Sequence, residues 1–207
     1  MKSKLFLCFS LALCMKSLKA QENNPPKLRE FYISFANFSP LNISLSYKHE
    51  IGNNLLFKIG AIGLSMSLAD SKSSMSTTYR SETSMYSAGL LFGLEFRSNL
   101  TDKFALFHGP NVSYIYFYQE TETSDPLSTP EQRKSSVDRN RYSIPYTFGI
   151  LFNLNSSILF SAQIDPNLYY SVNKNTNNAN GQNITTTENS GGVSISNSGW
   201  VSIVYRF

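Results

Sequence analysis

Two histidines, His49 and His108, are the side chains of this 207-residue chain best suited to move a proton near neutral pH. Neither has the neighbours that nucleophilic catalysis needs. At every-other-residue spacing His49 shares a face with Tyr47 and Ile51, and His108 with Leu106 and Pro110. No serine stands beside either base, although an adjacent strand remains free to supply one. Both cysteines, Cys8 and Cys14, fall in the first 20 residues, which read as an export signal. Zinc–thiolate sites and a cysteine nucleophile are thereby excluded from the remainder. Two histidines and no Asp-x-Asp-x-Asp-Gly run leave no metal-ligand spacing, and no glycine-rich phosphate loop opens a helix. No cofactor is expected.

Charge is the chemistry that remains. Lys48, Glu50, Lys58, Glu95, Arg97 and Arg206 lie on the polar parity of candidate strands, towards one end of each. Charges brought together in a narrow interior must pair. The expected role of this cluster is structural, a polar plug that sets strand register and blocks leakage. The competing role is a path for protons or ions.

The elements that must position these residues are strands. Lys2 and Lys4 precede an apolar run from Leu5 to Leu13, and cleavage after Ala20 would leave Gln21 first. Four of the 18 basic residues (Lys2, Lys4, Lys16, Lys19) leave with that signal. The remaining 14 basic residues then balance the 14 acidic ones, so the sequence pI of about 9.0 implies no nucleic-acid partner. Residues 21–28 form a polar, proline-broken lead-in, and nothing beyond the signal approaches the ~18 apolar residues of a membrane helix.

Residues 29–207 instead alternate apolar with polar side chains. The clearest stretch sets Tyr86, Ala88, Leu90, Phe92, Leu94 and Phe96 against Ser87, Gly89, Leu91, Gly93, Glu95 and Arg97. Eight strands are predicted, beginning near residues 30, 41, 55, 86, 104, 141, 158 and 200. In the third the apolar parity switches near Gly60–Gly63, which predicts a bulge. Short connections at 52–54, 99–102 and 155–157 alternate with long loops at 70–81, 120–140 and 174–198. The link at Ser39-Pro40 is short where a long one is due. Tyr86, Tyr114, Tyr116, Tyr118, Tyr142 and Tyr170 gather at the long-loop ends, and Phe57, Phe96, Phe104, Phe152 and Phe207 at the short-turn ends. In the last strand Val201, Ile203, Tyr205 and Phe207 point one way, and Trp200, Ser202, Val204 and Arg206 the other.

An even strand count, loop asymmetry, two aromatic bands and a final Tyr-x-Phe resemble the small outer-membrane β-barrel proteins of Gram-negative bacteria. The resemblance covers residues 29–207 and rests on no catalytic motif. It implies an all-β fold, an eight-stranded antiparallel up-and-down transmembrane β-barrel. It implies outer-membrane lipid as surroundings, and the barrel-assembly machinery as reader of Tyr205 and Phe207. It also implies a structural, adhesive or surface-interaction role without an open pore, with an extracellular ligand met through loops 120–140 and 174–198. Two alternatives stand beside it. One is a lipid-modifying outer-membrane enzyme on the same scaffold. The other is a soluble secreted β-barrel whose apolar face turns inward around a hydrophobic ligand.

Overall fold

The computed structural model describes residues 27–36, 43–75, 77–124, 134–179, 182–195 and 199–207. The expected signal at 1–20, most of the lead-in and the Ser39-Pro40 turn lie outside the described residues. The strands are β1 Arg29–Ala36, β2 Ile43–Gly52, β3 Leu55–Met75, β4 Thr77–Asn99, β5 Phe104–Ser124, β6 Lys134–Asn153, β7 Ile158–Ile164, β8 Pro166–Ala179, β9 Gln182–Ile195 and β10 Trp200–Arg206. All pairings are antiparallel.

These ten segments make a ring of eight strands. β7 and β8 both pair with β6 and are parted only by Asp165, so they are one strand with a break. β9 pairs with β8 and β10 with β7, forming the eighth strand in two pieces. The ring closes where β10 meets β1, with Phe31 opposite Tyr205 and Ile33 opposite Ile203. Closure through β10 and β1 seals the ring, while β9 pairs with β8 alone among the described residues. The eight-stranded barrel expected from periodicity is the fold.

Local chemistry explains the short connections. Asn54 takes the left-handed backbone (φ 59°) between β2 and β3, a conformation asparagine tolerates better than most residues. Thr101 Oγ1 accepts from the amides of Lys103 (3.2 Å) and Phe104 (3.0 Å), closing the β4–β5 turn. Asn155 Oδ1 does the same for Ser157 (2.9 Å) and Ile158 (2.8 Å) before β7. The parity switch in β3 is a register shift between Ile62 and Ser65, with Gly63 at φ 61°. Only glycine enters that conformation without strain, and the extra residue re-aims the faces as expected.

The long loops require correction. Residues 70–81 are not a loop: β3 and β4 stay paired to Met75 opposite Thr77. Of 120–140, residues 120–124 and 134–140 belong to paired arms of β5 and β6. Residues 174–179 and 182–195, expected as an amide-rich loop, are the arms of the β8–β9 hairpin. Polar residues on both sides erase the period-two contrast that marks a half-buried strand, so periodicity misses strands that stand in water.

Gly149 on β6 faces inward as expected, yet it is no neutral position. A Cβ there would collide with Phe107 Cζ and lie 2.6 Å from the Ala162 carbonyl oxygen. The ring can swing aside, but the neighbouring strand's backbone is held by its ladder. Gly149→Ala is therefore expected to cost ~1–3 kcal/mol through overpacking. A urea titration of the refolded protein checks this, and an unchanged midpoint would contradict it.

Candidate functional site

The interior is divided between ions and hydrocarbon. On the β5–β7 and β10 side, Ala105, Phe107, Leu151, Leu159 and Val204 pack with Tyr32 of β1 into a buried apolar cluster. Against it, pairing aligns Arg206, Glu30, Lys48 and Lys58 across β10, β1, β2 and β3. Strand alternation turns all four inward, and Glu95 and Arg97 join them from β4.

Glu30 is the hub of this network, fully buried with 0% exposure. Its carboxylate accepts from both terminal nitrogens of Arg97, at 2.8 and 2.5 Å, a bidentate fork. It also accepts from Arg206 Nε (3.0 Å) and Tyr32 Oη (2.9 Å). Arg97 Nε donates to Glu95 Oε1 at 2.8 Å, and Lys48 Nζ donates to the other Glu95 oxygen. The Lys48 ammonium sits 3.6 Å from the Tyr32 ring centroid, a cation–π contact in a dry setting. Each carboxylate oxygen in the cluster has a donor. A network satisfied this fully holds its strands at one register.

The six residues expected to meet do not all do so. Lys48, Glu95, Arg97 and Arg206 come together around Glu30, which sequence reasoning missed. Its signal was available, since Glu30 shares inward parity with Ser34 and Ala36. Glu50 stands apart at the barrel mouth, where Oε2 accepts from the Leu28 amide at 3.1 Å and lines a cavity of about 680 Å³. Lys58 is buried and lines a second cavity, and among the described residues it makes no hydrogen bond or ion pair to the network. Tyr205 and Phe207 lie on the outer face with rings stacked at 5.9 Å.

A second network holds the strand break. The Asp165 carboxylate accepts from Thr147 Oγ1 (2.6 Å) and from Gln163 Nε2 (2.9 Å), while Asn111 Nδ2 donates to Thr147 Oγ1 (2.9 Å). Leaving the ladder at Asp165 thus costs the backbone a pairing and satisfies an inward acid.

Neither histidine is hydrogen-bonded to a serine among the described residues. His108 lies on the outer face, its Nδ1 hydrogen-bonded to Tyr146 Oη at 2.8 Å, its ring stacked beside Phe96 and Phe148. His49 stacks on Tyr47.

The outer surface decides the setting. Ile59, Leu90, Phe92, Val112, Ile144, Phe148, Ile150, Phe160 and Ile203 are all exposed and together band the closed ring. Tyr86–Tyr118 and Tyr114–Tyr142 ring pairs, each at 5.2 Å, edge that band on one side, and Phe104–Phe152 at 5.1 Å on the other. Charge inside and hydrocarbon outside inverts a water-soluble barrel. The chain is a transmembrane β-barrel. A soluble barrel with its apolar face inward does not describe it.

No protein-family model matches the chain, and no curated protein matches it. Among solved structures it is similar to a major outer membrane protein from Thermus thermophilus. The TM-score is 0.48 at 11% identity, covering 88% of this chain and 100% of that one. It is also similar to Acinetobacter baumannii CarO2 (TM-score 0.39, 10% identity, 89% and 100% covered). A third likeness is Ail, the attachment invasion locus protein of Yersinia pestis (TM-score 0.36, 14% identity, 87% and 97% covered). Likeness at these scores carries no functional argument, and the bilayer setting rests on the belt and the closed ring.

Proposed function

We propose that this barrel sits in a bacterial outer membrane, keeps its lumen sealed, and meets its partners through three β-hairpins that stand beyond the bilayer. The observation that carries the reading is the length of those hairpins past the tyrosine band. From Tyr86 to the tip at Thr77, β4 adds roughly 30 Å at ~3.4 Å per residue, far more than a tight turn requires. The β5–β6 and β8–β9 hairpins extend on the same side, because the short connections at 52–54, 99–102 and 155–157 lie at the other.

The arms differ in chemistry. On β4 and β5, Glu82 stands directly opposite Glu122; Arg80 pairs with Glu82 at 2.7 Å, and Lys134 of β6 pairs with Glu122 at 3.6 Å and with half-buried Glu120 at 2.8 Å. The Lys134 ammonium donating to Glu120 holds that carboxyl below its usual range. The β8–β9 arms carry amides and hydroxyls, with Lys174 and Glu188 the charged residues among those described. Rigid paired arms present such groups at low entropic cost, which favours a surface-interaction or adhesive role over catalysis. Tyr205 and Phe207 are the proposed contact for the assembly machinery.

The test is a barrel with its arms trimmed at the tyrosine band. It should still migrate as a heat-modifiable folded species, while cells expressing it lose binding to whatever surface the full chain binds. Retained binding would move the function elsewhere. Planar-bilayer recording of the full protein should show no reproducible single-channel steps, and stable steps would replace the sealed reading with transport.

A further inference from the structure

Lys58 adds a buried positive charge whose nearest carboxylates are already bonded to other cations. It stands directly opposite Lys48 across β2 and β3, and like charges in that relation repel. Lys48 is answered by Glu95. Lys58 is 7% exposed, yet among the described residues its ammonium donates no hydrogen bond and joins no ion pair. Glu95 lies within electrostatic reach but is bonded to Lys48 and Arg97, so Lys58 has no counter-ion in contact, and a buried cation so placed is costly.

Its side chain lines a luminal cavity of about 540 Å³ above the ion cluster. The size suits a small organic molecule. Arg141 adds a second cation to the lining, stacked at 4.4 Å on the Tyr169 ring, an arrangement that leaves its N–H groups available. Asp165 also lines the space, its carboxylate hydrogen-bonded by Thr147 and Gln163, and with Lys58 and Arg141 present the lining keeps a net positive charge. Around the cations are hydroxyls, Ser46 and Ser143 among them, and the Asn167 side-chain oxygen is buried without a hydrogen-bond donor among the described residues. Two cations, several hydroxyls and one orphaned acceptor describe a ligand with an anionic end and hydroxyl groups of its own.

We propose that the lumen binds a small hydroxylated organic anion, its carboxylate or phosphate seated on the Lys58 ammonium and its hydroxyls on the serine-lined wall. The ion cluster closes the cavity on the turn side, so this is a binding site and not a conduit. The inference goes beyond the surface role proposed above and does not depend on it.

Trp200, the chain's one tryptophan, lines the same cavity and reports on it without any label. Refolded protein in detergent micelles is titrated with gluconate, glucose 6-phosphate, glucose and sodium chloride. Saturable change in Trp200 emission is expected with gluconate or glucose 6-phosphate, and the stronger of the two identifies carboxylate or phosphate. Glucose should need at least tenfold higher concentration, and chloride should compete without reproducing the change. Lys58→Met removes a charge that makes no ion pair or hydrogen bond among the described residues, so it should fold and should lose at least tenfold in affinity for the anion. Should that variant fail to fold, the wild-type comparison of gluconate with glucose decides alone. No response to either anion, equal responses to gluconate and glucose, or undiminished affinity in folded Lys58→Met would overturn the proposal.

Discussion

Phe92→Arg is expected to lower the free energy of folding into a bilayer by ~2–4 kcal/mol, whereas Phe96→Arg on the same face should cost ~0–1 kcal/mol. Both phenylalanines point outward from β4, at 40% and 42% exposure, so loss of packing is comparable. They differ in depth. Phe96 lies near the turn that begins after Asn99, where an arginine reaches the headgroups. Phe92 pairs with Ile59 and Val112 in the middle of the apolar band, where it cannot. Urea titrations of refolding into lipid vesicles measure both. Equal costs would mean that the band is not the membrane belt, and two negligible costs would return the chain to water.

The second large effect is expected inside. Glu30→Ala should destabilise the barrel by ~3–5 kcal/mol, the range for removing one partner of a buried ion pair. Glu30 is bonded by Arg97, Arg206 and Tyr32, and its loss leaves the buried Arg97 guanidinium with Glu95 as its one carboxylate partner among the described residues, beside the Tyr32 hydroxyl. Glu50→Ala is the matched comparison, because Glu50 accepts one backbone amide at the barrel mouth. Its expected cost is ~1 kcal/mol, the worth of an ordinary hydrogen bond. If the two variants unfold at the same urea concentration, Glu30 is not the hub. A barrel in which Glu30, Lys48, Glu95 and Arg97 all become well-packed apolar residues should recover stability, because a satisfied network seldom outweighs the hydrocarbon that replaces it.

Alternation alone carried the barrel. In β4 every residue from Gly89 to Arg97 has the face its parity assigned, and Lys48, Glu95, Arg97 and Arg206 were legible as inward for the same reason. A strand's period of two is a local property of the backbone, so a chain that separates apolar from polar at that period declares both faces without tertiary information. Even the Gly63 bulge was visible, since it shifts the phase. What the chain did not declare is height along the barrel. Parity is silent on which inward residues share a layer, because that follows from strand tilt and stagger in the closed ring. Hence Glu30 became the centre, Glu50 fell to the mouth, and Lys58 turned into the cavity, although all of them carry the same inward parity as Lys48 and Glu95. The hairpin arms and the Asp165 break were equally hidden. Arms with water on both sides have no apolar face to mark them, and a strand breaks at Asp165 because Thr147 and Gln163, distant or unremarkable in sequence, are there to bind its carboxylate once the wall has closed.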